Sequence, residues 1–167
     1  MKLYIKQKVL SFRDQFTVKD GNGRTRYTVK GELISLGKRL HIYDAQGQEI
    51  ALLKQKIISF MPRFIVNVRG EDCAQIVKKF TLFRPQYHVD GLDWTIDGRI
   101  MEHDYTIRKG NHMIAQIHKV WMSWGDSYEM EIDDSADELT AVAVVLAIDA
   151  VLASEDEAAS ASASNSN

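Results

Sequence analysis

Cysteine, catalytic constellations and long apolar runs are all scarce in this 167-residue sequence, and each scarcity excludes something. The single cysteine, Cys73, cannot build an intramolecular disulfide framework, which suits a reducing compartment and a fold held by its apolar core. Lysines at 2, 6 and 8 leave the opening MKLYIKQKVL without an apolar centre. It is not expected to act as a secretory signal, and the expected location is the cytoplasm, with peripheral attachment to a membrane as the variant of that reading. No glycine-rich phosphate cradle, Cys/His pair or Ser/His/Asp order can be read from the sequence. The five histidines are scattered. His112 and His118 share a strand face but would lie roughly 20 Å apart at ~3.3 Å per residue, too far for one metal. His41, His88 and His103 have no spacing partner. The expectation is a non-enzymatic protein with no catalytic residues, no metal and no cofactor.

Only one stretch is apolar all round. From Leu139 to Ala153 the polar residues are Thr140 and Asp149. As a helix, 15 residues span about 22 Å at ~1.5 Å each, short of a hydrocarbon core of ~30 Å. Its side chains must still be covered, since exposing each Val, Leu or Ile forfeits ~1.5–3 kcal/mol.

The rest of the chain supplies the cover. Residues 5–18, IKQKVLSFRDQFTV, align without a gap on residues 76–89, IVKKFTLFRPQYHV, with six identities. YTVKG at 27–31 then matches WTIDG at 94–98, and IALLKQKIISFMPRF at 50–64 matches IAQIHKVWMSWGDSY at 114–128. The preserved order indicates an internal duplication, with copies at about 2–69 and 73–133. Within each copy the period is two: Leu3, Ile5 and Val9 alternate with Lys2, Lys6 and Lys8, and Phe64, Val66 and Val68 alternate with Arg63, Asn67 and Arg69. Turn signals at 20–23, 36–38, 44–47, 90–91 and 109–111 divide each copy into about six strands. A sheet of about twelve strands with one apolar face must close on itself to remove its edges. A helix without a polar face is what the closed sheet would surround. The expected fold is therefore mainly β, an internally duplicated closed β-barrel enclosing a C-terminal hydrophobic helix at 136–153. Ser135 with Glu138 reads as a capping box for that helix, and residues 154–167 read as a disordered acidic and Ser/Ala tail.

These blocks resemble the LURP-one-related family of the tubby C-terminal-like superfamily. The resemblance covers roughly residues 2–153 and rests on FTVKDGNGRTRYTVKGELISLGKRLHIYDAQGQEIALLKQKIISF, WTIDGRI, MIAQIHKVWMSWGDSYEMEI and ELTAVAVVLAIDAVL, in that order. It implies a twelve-stranded barrel around a central helix. Phosphoinositide binding by tubby relatives and the placing of phospholipid scramblases in the same superfamily imply lipid as a partner and a scramblase-like, membrane-associated role as one alternative. The resemblance assigns no lipid-contacting residue in this chain.

Charge supplies the remaining candidates. Residues 1–70 carry 14 Lys and Arg against 5 Asp and Glu, whereas residues 71–167 carry 7 against 18. On the strand alternation Lys6, Lys8, Arg24, Arg26, Lys30, Lys54 and Lys56 leave the barrel outward as candidates for an anionic lipid surface. The competing reading is an ordinary solvated barrel exterior, on which the two halves can pair their charges. Outward aromatics, Tyr4 and Tyr43, are too few for a nucleic-acid platform, so nucleic acid is not an expected partner. The acidic run Asp133, Asp134, Asp137, Glu138 lacks the ligand spacing of a calcium loop and serves helix capping. Trp121 and Trp124 occupy the places of Ile57 and Phe60 and read as structural. Asp149 is expected at the mouth of the barrel, where its charge stays wet. A protein-interaction scaffold working through the helix or the tail is the alternative function.

Overall fold

A computed structural model describes residues 1–6, 15–34, 37–57, 62–79, 86–122 and 125–164. Twelve antiparallel strands form a closed barrel. The first half holds β1 (Lys2–Lys6), β2 (Gln15–Asp20), β3 (Thr25–Ile34), β4 (Gly37–Tyr43), β5 (Glu49–Gln55) and β6 (Arg63–Val68). The second holds β7 (Glu71–Lys79), β8 (Gln86–Asp90), β9 (Trp94–Arg99), β10 (Asp104–Lys109), β11 (His112–Met122) and β12 (Gly125–Ile132). A short 3-10 turn, Ile100–Glu102, lies between β9 and β10, and the helix α1 runs Glu138–Ser164. Each strand pairs with its sequence neighbours, and β1 closes the ring on β12 through Leu3 opposite Met130 and Ile5 opposite Tyr128.

Alternation decides which residues enter. Leu3, Ile5, Phe64, Val66, Val68, Tyr128, Met130 and Ile132 all point inward and are buried. Duplicated positions share this fate: Leu53 and Ile117, Ile42 and Ile107, and Phe16 and Tyr87 are buried pairs across the two halves. The two hairpins with Asp at their first position use one device. Asp20 Oδ1 accepts from the backbone N–H of Asn22 and Arg24, and Asp44 Oδ1 from Gln46 and Gln48, each at 2.9 Å. These are Asx turns, in which a carboxylate replaces the backbone partners that a tight reversal removes. Arg24 consequently sits in the turn before β3 rather than on the strand.

The helix fills the barrel. Ala141 through Ile148 have 0% exposure on every side, including Ala141, Ala143 and Ala147. Small residues let the backbone fit inside the ring while Val142, Val144, Val145, Leu146 and Ile148 reach the wall. Its N-terminus lies at the mouth formed by the β2–β3, β4–β5 and β6–β7 turns, where Arg69 reaches Asp137. Its C-terminal part leaves the opposite mouth beside β4 and β8, where Lys38 meets Ser154 and Tyr87 meets Glu155.

Three expectations about the helix are corrected. It begins at Glu138, and Asp137 is its cap, accepting from Thr140 N–H at 3.2 Å. Ser135 instead turns back on Asp133, donating to Oδ1 at 2.5 Å. Ser135 is thus two residues too early for the capping box, and Glu138 is free to bond the barrel wall. The helix also runs to Ser164 rather than ending near 153. Composition correctly marks residues past 155 as having nothing to bury, but Ala and Glu are strong helix formers and extend a helix already nucleated in the core. Finally, Asp149 is not at a wet mouth. It is 2% exposed, and Tyr128 OH donates to its Oδ2. With a helix that ends at Ser164, Asp149 lies fifteen residues from the C-terminal end and inside the wall.

Candidate functional site

The outward positions of β3 to β6 hold most of the described candidates, and register decides what each can do. Arg26 and Glu138 form a two-point contact, Nε to Oε1 at 2.8 Å and Nη2 to Oε2 at 3.0 Å, and Tyr27 OH donates to the same Oε1 at 2.7 Å. Arg26 therefore fastens the helix start to the wall, with about half of its side chain still exposed. Lys30 lies 4.9 Å over the ring of Tyr43, a cation–π contact. Arg24 is exposed in its turn at the helix-entry mouth. Lys8 and the side chain of Lys6 lie outside the described residues. Charge pairing between the halves is real at several points: Lys2 with Glu129 at 2.7 Å, Arg69 with Asp137 at 3.2 Å, and Arg26 with Glu138.

Burial pushes the Glu138 carboxyl up, but the Arg26 and Tyr27 hydrogen bonds outweigh it and hold the group below its ordinary value. A carboxyl depressed in the folded state contributes fully above its unfolded value of about 4.3 and loses that contribution as pH falls through the folded value. Arg26→Gln should therefore destabilise the barrel at neutral pH. The gap in urea midpoint from the parent should narrow between pH 5 and pH 3, and a gap constant with pH would contradict the assignment.

Lys54 and Lys56 belong to a different arrangement. Arg39 on β4 stands directly opposite Lys54 on β5. One step toward the helix-exit mouth, Lys56 N–H donates to Arg63 O at 2.9 Å, which sets Lys56, the residue just past β5, beside Arg63 on β6. Two cross-strand like-charge pairs thus adjoin on the outer face of three neighbouring strands, an arrangement that destabilises a sheet. Compensation is slight. Lys54 has Asp72 at 3.9 Å, but that carboxylate oxygen accepts from Asn67 at 2.7 Å. Glu32, opposite Arg39 on its other side, is 3.1 Å from His41 Nε2. Among the described residues Arg39 and Lys56 have no carboxylate within ion-pair distance, and Arg63 Nε is buried without a hydrogen-bond partner.

The second half shows what the same scaffold does when no positive patch is made. His118, the counterpart of Lys54, lies 3.4 Å from Asp104, the residue before Tyr105 as Arg39 is the residue before Leu40. Arg99 donates to that aspartate at 2.5 Å. In place of Lys56 and Arg63 stand Val120 and Ser127, opposite each other. One half balances this corner; the other concentrates cations there.

Apolar side chains frame the cluster. Ile50, Leu52 and Ile65 take outward positions on β5 and β6 and are half-buried. A groove of about 560 Å³ runs past Ile50, Leu52, Lys54, Asn67 and Arg69. Ile57, next to Lys56, is 57% exposed. Trp121, its counterpart in the second half, is 79% exposed. Trp121 is therefore not a core residue, because β11 carries it past the end of the helix-filled interior; Trp124 lies outside the described residues.

Sequence reading missed Arg39 and Arg63 because nothing in GKRLHIY or PRFIVNV shows which cations will be opposite neighbours. Only the β4–β5 and β5–β6 registers do. It also missed His103, which has φ 51° and places Nε2 3.2 Å from Asp149 Oδ1 while stacking on Tyr128 at 4.6 Å. Among the described residues no group of three or more His, Cys, Asp or Glu could hold a metal ion, and no helix is long and apolar enough to cross a membrane.

Known proteins share this architecture and sequence. The Bacillus subtilis (strain 168) protein called Uncharacterized protein YxjI is 31% identical over 157 residues, 94% of this chain and 97% of its own. The X-ray structure of the Arabidopsis thaliana protein AT5G01750 superposes with a TM-score of 0.60 over 86% of this chain and 88% of that one. At 16% identity that likeness is one of fold. A family model described as LURP-one-related matches residues 1–149, and the chain belongs to that family.

Proposed function

We propose that the protein is a non-enzymatic barrel that docks side-on against an anionic phospholipid surface through the outer face of β4, β5 and β6. The observation that carries this reading is the pair of adjacent like-charge contacts, Arg39 with Lys54 and Lys56 with Arg63. An anionic surface relieves their mutual repulsion, and Ile50, Leu52, Ile65 and Ile57 supply apolar area beside them. Such a mixed basic and apolar strip suits the boundary of headgroup and acyl chain better than it suits water.

The test is co-sedimentation with vesicles of phosphatidylcholine alone and of phosphatidylcholine mixed with phosphatidylserine. The parent should bind only the mixed vesicles and should be released as salt rises. With ~1 kcal/mol per basic residue near a charged membrane, R39E/K54E/K56E/R63E should bind about 100-fold or more weakly. R108E/K109E, at the opposite mouth, should bind as the parent does. Parent binding absent at low salt, or undiminished in the fourfold variant, overturns the reading. Release by inorganic phosphate would identify a free anion as the ligand instead.

A second reading, a protein-interaction scaffold, is favoured by one observation. Trp121, Met101 and Ile57 are large apolar side chains exposed around the same mouth. Loss of one stoichiometric protein partner in Trp121→Ser, with vesicle binding unaffected, would separate it from the first.

A further inference from the structure

The helix does not stop where the barrel stops. Ser154 is still 6% exposed, and the helix then continues through Glu155, Asp156 and Glu157 to Ser164. Ten residues beyond Ser154 rise about 15 Å at ~1.5 Å each. Their first three side chains are acidic, and two of them are fastened to the rim. Glu157 pairs with Lys38 Nζ, which also lies 3.4 Å from Ser154 Oγ, and Tyr87 OH donates to Glu155 at 3.1 Å.

The place of that fastening matters. Lys38 immediately precedes Arg39, and its backbone N–H donates at 3.2 Å to the side chain of Gln55, the residue between Lys54 and Lys56. Glu157 is therefore held against the same β4–β5 segment whose outer face carries the cations, while Glu155 is held by Tyr87 on β8. Lys38 and Arg39 are consecutive near the start of β4, their side chains leaving opposite faces of the strand at the rim, and charge is felt over ~8 Å at physiological ionic strength. Glu157 on Lys38, with Asp156 beside it in the chain, thus lowers the potential on this side of the rim and repels an anionic surface approaching the flank. Burial does not account for them, since Asp156 and Glu157 are exposed.

We propose that the acidic helical extension is an electrostatic gate on the basic flank, juxtaposed with it through the Lys38–Glu157 pair, and that it weakens docking on anionic lipid. This rests on the docking reading above and gives it a regulated form: any partner or modification that draws the extension off Lys38 strengthens attachment.

The experiment compares the full chain with D156N/E157Q and with E131Q/D134N, which removes equal charge at the opposite mouth. Both variants leave the buried part of the helix untouched, and their thermal midpoints are measured alongside. On phosphatidylserine-containing vesicles D156N/E157Q should bind about 5-fold or more tightly than the parent, the gain should fade as salt rises, and E131Q/D134N should match the parent. An equal gain in both variants would reduce the effect to net charge and overturn the gate. A parent that binds, with D156N/E157Q no tighter, overturns the gate and leaves docking standing. If neither binds while both are folded, docking itself fails, and the gate with it.

Discussion

Leu146→Arg is expected to leave no folded protein. Leu146 sits mid-helix at 0% exposure, with the barrel wall on every side. Removing a buried leucine side chain alone costs ~2–5 kcal/mol. The guanidinium adds several more, because Asp149, the buried carboxylate one turn on, already accepts from Tyr128. A domain of this size holds ~5–15 kcal/mol in all, so the sum reaches its whole stability. The variant should appear in the insoluble fraction, and any soluble remainder should lack a cooperative urea transition. Leu146→Met, which conserves volume, should keep the transition within ~1.5 kcal/mol of the parent. A folded Leu146→Arg protein with the parent's midpoint would show that the helix can leave the barrel, and would support a mechanism in which it enters a bilayer.

Tyr128→Phe is expected to cost about 2–4 kcal/mol, although it removes a single oxygen. Tyr128 OH donates to Asp149 Oδ2, and both residues are buried. Burial, then the carboxylate charge, push this phenol well above its ordinary range, which keeps it a donor. Tyr105, whose hydroxyl is buried without a hydrogen-bond partner among the described residues, is raised by the same two causes. Without the Tyr128 hydroxyl, Asp149 keeps His103 at 3.2 Å as its described neighbour, and a buried charge that loses a donor carries most of its desolvation penalty.

The first half of the barrel indicates how to remove the group without that penalty. Phe64 and Leu40 occupy the places of Tyr128 and Tyr105 there, both at 0% exposure. Y105L/Y128F/D149L should therefore recover most or all of the stability lost in Tyr128→Phe, as measured by urea midpoints at pH 7. A triple variant less stable than Tyr128→Phe would mean that the hydroxyls and the carboxylate set the depth of the helix in the barrel rather than merely tolerating one another.

What could be read from the sequence and what could not divide along a physical line. Strand alternation is a local property, so Leu3, Ile5, Phe64, Val66, Tyr128 and Met130 could be placed inward from their neighbours alone. The absence of a polar face on residues 139–153 is also local. Together with the repeat it required a closed sheet around a helix, since nothing else in the chain could cover those side chains. Charge was legible only as a bias of one half. Whether a given cation is neutralised or left beside another cation depends on which residues the registers set opposite, and those partners lie far apart in the chain. Arg26 found Glu138 at 112 residues' separation, whereas Arg39 found Lys54. The extent of the helix past residue 153 and the burial of Asp149 were misjudged for a related reason. Local composition reports what a segment has to bury, not how far a helix nucleated elsewhere will run. The sequence by itself thus determined the barrel, its duplication and its filling, because hydrophobic periodicity states a local requirement. Only the tertiary structure decided which charges hold the helix and which are left beside another cation, because that follows from strand register and helix depth.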